Sequence, residues 1–207
     1  MSEVKKPVTK VRTGNGDGGT TKLAGKTYRK SHALVAYSAA LDTAQGLTVA
    51  LPEEMGTAQP QNVIQEVLHR LGAVIGARLP KEHELAMQEM GQFMEKQIAT
   101  IAGGLPALDS FIRCTDGNVE LHQLRSALRE AECRCVAAWD QVNIESKDTS
   151  PQLLYMLEKS MTLLNIASDW VFCFMWMAST NPVSGKVSSS TRWIPWTEEK
   201  IRSLNAI

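Results

Sequence analysis

The chain carries no excess of either charge: 22 Lys and Arg stand against 22 Asp and Glu. Its totals therefore recommend neither a nucleic-acid surface nor an anionic membrane as partner. Cysteine is scarce. Cys114, Cys133, Cys135 and Cys173 form no CxxC pair and no secreted disulfide framework, which leaves reduced thiols in a cytoplasmic protein. Cys133 and Cys135 are two apart on a helical stretch and point about 160° apart, so one metal cannot take both, and no side chain is nominated as a metal ligand. A GxxxxGK[ST] loop is missing. So is a charged, apolar and cleavable leader, because residues 1–30 are polar, glycine-rich and basic. The one long apolar run, 161–178, contains Asn165, Ser168 and Asp169, which argues for a buried bundle helix over a membrane span.

What is present is helical. Only 6% of the residues are aromatic, nine are methionine, and 43% are apolar, enough for a proper core. The length fits one domain with tails: a basic arm and loop at 1–30, a helical domain at 31–180 and a tail at 181–207. Helical periodicity predicts helices at 31–51, 61–79, 84–100, 121–139 and 152–179. In the fourth, Leu121, Leu124, Leu128, Ala131, Cys135 and Ala138 form one apolar stripe, flanked by Arg125, Arg129 and Glu132. Charges so close to a buried stripe pair across an interface, face a polyanion, or form an ordinary solvated edge. The stripe of Met87, Met90, Phe93, Met94, Ile98 and Ile101 in the third reads as core. His69 and His83 read as surface residues, having no second ligand type one turn away.

The arm holds Lys5, Lys6, Lys10, Arg12, Lys22, Lys26, Arg29 and Lys30 against only Glu3 and Asp17. At its centre, residues 12–21 read RTGNGDGGTT. Glycines let backbone N–H groups converge and hydroxyls and lysines add donors and charge, which suits a phosphate cradle; a Gly/Thr linker has the same composition. A calcium loop is excluded, because Thr13 and Ala24 would occupy the positions that require acids.

Several segments, in order, resemble the PduO-type ATP:corrinoid adenosyltransferases. Leu121, His122, Arg125, Arg129, Ala131 and Glu132 match the family's LHxxRxxxRRAER helix; Glu130 and Cys133 stand where it has arginines. The 12–14 and 17–23 stretches match TRTGDxGTTxL with Asn15 and Gly16 inserted, and Lys30 falls where the family has a lysine. Residues 35–44 are similar to EAYGTVDELN, with Leu41 in place of the aspartate that partners the arginine matched by Arg129; Asp42 is the adjacent acid. Residues 64–73 resemble IQxxLFxxGxxLA. Phe111 and Ile112 open the counterpart of FILPGG, and residues 164–172 resemble LNRLSDLLF with Ile166 replacing its arginine.

The resemblance implies an all-α fold, a five-helix bundle with a glycine-rich N-terminal loop. It implies a homotrimer with active sites between subunits, and ATP, Mg²⁺ and a corrinoid (cobalamin) as the bound molecules. The expected reaction is transfer of the 5′-deoxyadenosyl group of ATP to reduced cobalt with release of triphosphate. ATP would be held by Arg12, Thr13, Asp17, Gly19, Thr20, Thr21, Lys30, Arg129 and Asn165. Arg129, Glu132 and Asn165 would be catalytic, Phe111 would wall off the lower corrin face, and Asp169 would be a buried acid holding an arginine of the neighbouring helix. A cobalamin reductase or a cobalamin-dependent enzyme is the partner the resemblance suggests beyond further copies of the chain. Leu41, Glu130, Cys133 and Ile166 remove charges expected in one neighbourhood, so a second reading stands beside the first: a weak or inactive paralogue that binds nucleotide or corrinoid as a carrier, regulatory or assembly subunit. Trp193 and Trp196 in the tail suggest a docking segment.

Overall fold

The computed structural model describes residues 16–23, 25–53, 59–75, 81–108, 111–145 and 151–180. Arg12, Thr13, Trp193 and Trp196 lie outside them. Five helices form the body: α1 (Ala33–Leu47), α2 (Pro60–Ile75), α3 (Lys81–Gly103), α4 (Val119–Ile144) and α5 (Pro151–Thr180). A 3-10 turn, Thr48–Ala50, ends α1. There the Thr48 hydroxyl donates back to the Gln45 carbonyl (2.9 Å) and accepts from Gln65 of α2 (3.0 Å).

The all-α expectation needs one addition. The glycine-rich segment opens into an antiparallel hairpin of β1 (Thr20–Leu23) and β2 (Lys26–Arg29), with Leu23 opposite Lys26 across a two-residue turn. Gly25 in that turn has φ 78°, a conformation that favours glycine. A four-residue strand is too short for an alternating pattern to stand out in a basic segment, so the hairpin is found only in three dimensions.

α4 is the axis of the bundle, packed between α1 and α5, while α3 and α2 cover other sides of α5. Its predicted stripe is buried in full and continues to Val142, which carries the helix beyond residue 139. Against it α1 sets Leu34, Tyr37, Leu41 and Ala44, and α5 sets a broad apolar surface that includes Leu157, Leu164, Ala167 and Val171. Each such leucine, fully buried, contributes about 1.5–3 kcal/mol of transfer free energy. Trp170 lies between Phe93 and Phe174, with ring centroids 6.0 and 5.6 Å away. α5 is long and apolar enough to cross a membrane by length and composition, but its buried residues face the other helices and form the middle of the core.

A polar spot lies in the core where α1, α4 and α5 meet. Ser160 donates to the Met156 carbonyl (2.7 Å) and Cys135 to the Leu157 carbonyl (3.4 Å), and Tyr37 faces both. Burial pushes the Cys135 thiol up to about 12 and raises the Tyr37 phenol well above its ordinary range. Both therefore stay neutral, which the apolar surroundings require.

Candidate functional site

The glycine segment makes a compact turn under a lysine. Gly16 (φ 129°) and Gly19 (φ 75°) adopt left-handed conformations. The Gly19 N–H donates to the Gly16 carbonyl (3.1 Å) and the Lys30 N–H to the Gly19 carbonyl (2.9 Å), which closes the base of the hairpin. A Cβ on Gly16 would stand 3.0 Å from the Thr20 carbonyl oxygen and 3.7 Å from Lys30 Nζ. The positive φ and the close approach to the Thr20 carbonyl call for glycine here, and the Lys30 ammonium rests beside it at ordinary contact distance. Thr20 and Thr21 pair with Arg29 and Tyr28 and are half-buried, while Asp17 and Lys30 are exposed. Sequence-nominated Asp17, Gly19, Thr20, Thr21 and Lys30 thus share one small structure that presents positive charge and hydroxyls.

A second group lies along the seam of α4 and α5. Arg125 places its guanidinium 5.0 Å from the centroid of Phe172, which in turn lies 6.3 Å from the Trp176 ring. Burial, reinforced by the like charge of Arg129, lowers the Arg125 pKa, and Asp169 opposes that shift from α5. Among the described residues the buried Arg125 Nε has no hydrogen-bond partner, and neither has His122 Nε2. Arg129 is exposed and Glu132 half-exposed, and among the described residues neither has an ion-pair partner. Glu130 and Arg134 instead pair with each other at 2.7 Å on the outer face. Arg134 therefore does not replace the arginine missing at exposed Cys133.

Two expectations for this seam are corrected. Asp169 is exposed in the single chain rather than buried, although it does face an arginine of the neighbouring helix, Arg125. Asn165, nominated for the nucleotide, is also exposed, while Ser168 between them is buried. The residues lacking charge also do not share one neighbourhood. Leu41 is 3% exposed inside the core and Ile166 packs on Gly91 of α3, its Cδ1 3.7 Å from where a glycine Cβ would be. Adjacent positions on a helix differ by about 100°, so Ile166 points into the α3 groove while Asn165 does not. That groove, about 390 Å³, is lined by Glu84, Gln88, Tyr155 and Lys159 among others and holds none of the other nominated residues.

The third group is the loop before α4. Phe111 is 98% exposed, so it does not plug the core. Buried Asn118 ties the loop down: its Oδ1 accepts from the Thr115 N–H (2.7 Å) and its amide donates to the Arg113 carbonyl (3.0 Å). This asparagine escaped the sequence reading, although an Asx residue just before an apolar helical run is a helix-start signal.

The three groups do not converge within one chain. The hairpin is tethered beside the C-terminal end of α4, where Gln141 Oε1 accepts from the Ala33 N–H at 2.9 Å. Phe111 precedes the opposite end, and the intervening helix is about 39 Å long at 1.5 Å per residue. Arg125 and Arg129 lie between.

The profile of the cobalamin adenosyltransferase family matches residues 11–178. No curated protein matches the sequence. Among solved structures, a variant PduO-type ATP:corrinoid adenosyltransferase from Lactobacillus reuteri complexed with cobalamin and ATP is 20% identical, with a TM-score of 0.62 over 83% of this chain and 94% of that one. A second variant from the same organism, complexed with ATP, is 20% identical with a TM-score of 0.60 over 82% and 94%. A third, complexed with cobalamin and ATP, gives 20% and 0.61 over 83% and 91%. At this identity the likeness speaks for the fold.

Proposed function

Because the chain belongs to the cobalamin adenosyltransferase family, we propose that it is an ATP:cob(I)alamin adenosyltransferase, in which reduced cobalt attacks the ribose 5′ carbon of ATP. A cobalt–carbon bond forms, the bond from that carbon to the triphosphate oxygen breaks, and triphosphate leaves. The observation that carries this reading is the glycine turn beneath Lys30, which in a family member would cradle a polyanion. Similar solved proteins hold ATP alone or with cobalamin, which supports the same assignment.

Charge builds on the leaving triphosphate as the bond breaks, and Lys30 and the threonines of the hairpin would stabilise it there, with Arg12 and Thr13 extending the cradle. Mg²⁺ would arrive on the triphosphate, since that ion keeps water and substrate phosphates as ligands. Arg129, Glu132 and Asn165 present polar groups with no partner among the described residues at the α4 and α5 surface and would orient the nucleotide. Phe111, projecting into solvent, supplies an apolar wall that keeps a base off the lower face of the cobalt, with Asp169 on the corrinoid side.

The separation of the hairpin from Phe111 along α4 favours an active site completed by a second subunit, and a closed cyclic trimer repeats that junction three times. A reductase that supplies the cob(I)alamin and an enzyme that accepts the product are the partners this chemistry requires, and the cytoplasm is where its reduced thiols belong.

Exposed Cys133, standing where the family has arginine, favours a second reading: a binding subunit that holds nucleotide or corrinoid without turning it over. One assay separates the two. Purified protein is mixed with chemically reduced cob(I)alamin and Mg·ATP, and the Co(I) absorbance is followed as adenosylcobalamin appears. The first reading expects turnover and saturable ATP binding that Lys30→Ala weakens; binding with no turnover moves the assignment to the second, and no binding of either ligand rejects both.

A further inference from the structure

Between the hairpin and the bundle lies a cluster that no part of the proposed chemistry uses. His32 is the N-cap of α1, an unusual choice where Ser, Thr, Asp or Asn is preferred. Its Nδ1 accepts from the Leu34 N–H at 3.1 Å. An amide can only donate, so Nδ1 carries no proton and the proton of the neutral ring sits on Nε2. That nitrogen donates to Glu145 Oε2 at 3.3 Å, at the far end of α4. The other Glu145 oxygen accepts from Gln141 Nε2 (2.8 Å), and Gln141 Oε1 accepts from the Ala33 N–H (2.9 Å). The imidazole is only 10% exposed and meets the Tyr28 ring of β2 edge-on, with centroids 4.6 Å apart.

Each contact of this ring joins a different element: Tyr28 the hairpin, Leu34 the first turn of α1, Glu145 the end of α4. The His32 N–H also donates to the Arg29 carbonyl at 3.0 Å. Lys30, two residues upstream, is the point where the chain leaves β2 and bonds back to Gly19. The geometry is that of an anchor whose load is the glycine turn. We infer that His32, held in one tautomer by Leu34 and Glu145 and braced by Gln141, is the positioning residue that docks the phosphate-binding hairpin on the bundle and sets where Lys30 stands. The inference deepens the functional reading given above and rests on it for the ligand, but the docking itself needs no ligand to be measured.

Two near-isosteres divide the work of the ring. His32→Asn keeps an acceptor at the Nδ1 position, hence the cap, but cannot reach Glu145. His32→Gln keeps a donor near the Nε2 position, hence the link, but gives up the cap. Glu145→Ala removes the link from the other side. Amide hydrogen exchange of unliganded protein reads the docking, thermal unfolding reads the cap, and Mg·ATP titration reads the cradle. The expected result is faster exchange across residues 20–29 in His32→Asn and Glu145→Ala, with α2 and α3 unchanged. Their ATP dissociation constant should rise about fivefold, the effect of one net hydrogen bond. His32→Gln, which keeps the Glu145 link but not the ring against Tyr28, should melt earlier and lose less ATP affinity than His32→Asn. Unchanged exchange in the hairpin of both His32→Asn and Glu145→Ala overturns the inference. Hairpin exchange that responds in a protein that does not bind Mg·ATP upholds the docking and rejects the functional reading instead.

Discussion

Replacing Cys133 by arginine tests the chemistry at its most exposed weakness. The side chain at 133 is exposed, one turn after Arg129, on a helix whose buried stripe runs along another side. An arginine there displaces nothing from the core, so folding stability should stay within about 0.5 kcal/mol of the parent. Arg134 does not do the same work, because it is turned about 100° away and paired with Glu130 at 2.7 Å. If the position faces the departing triphosphate, the new guanidinium adds one contact that strengthens as charge develops. Such contacts supply about 3–4 kcal/mol, a factor of about 10²–10³ in kcat. The ground state gains less, so KM for ATP should fall by a smaller factor than kcat rises. Lysine at the same place lacks the forked geometry and should recover only part of the gain. Steady-state rates with chemically reduced cob(I)alamin and Mg·ATP for parent, Cys133→Arg and Cys133→Lys measure all three quantities. Equal kcat for parent and Cys133→Arg, in proteins that both turn over, would refute the placement of residue 133 on the triphosphate.

Phe111→Ala should leave the melting temperature unchanged, since the ring is 98% exposed, while it lowers adenosylcobalamin formation; loss of stability in calorimetry would show the ring to be structural. Leu164→Ala removes a fully buried side chain from α5 and should cost about 2–5 kcal/mol in denaturant unfolding. Stability should also fall on the alkaline side. The fold holds the Cys135 thiol protonated, shifting it from an ordinary value near 9.0 to about 12, so its stabilisation is whole below pH 9 and is lost as pH rises toward 12, at about 1.4 kcal/mol per pH unit. Cys173, pushed up to about 11 chiefly by burial, adds over a narrower window. Chemical unfolding at stepped pH measures the limb, and Cys135→Ala should flatten it.

The bundle was legible from residue order because long amphipathic helices write their buried face at a period of 3.6. Every stripe residue proposed for α4 is buried, and the methionine stripe of α3 is core at Met87, Met94 and Ile101. The glycine turn was legible as chemistry, since only a few residue types tolerate positive φ beside a lysine; the hairpin that follows was not, since two four-residue strands gain their order from the bundle they dock on. His32 and Glu145 are 113 residues apart, and neither is conspicuous alone. What the sequence by itself determined is therefore whatever depends on near neighbours in the chain: helix periodicity, the turn-forming glycines and the family motifs. What only the tertiary structure decided is what depends on rotation about a helix axis and on contact between distant segments. Those include the burial of Leu41, the turning of Ile166 toward α3, the exposure of Asp169 and Phe111, and the closing of His32 on the end of α4. A rotation of about 100° separates adjacent helical residues, and no local pattern records which neighbour each one meets.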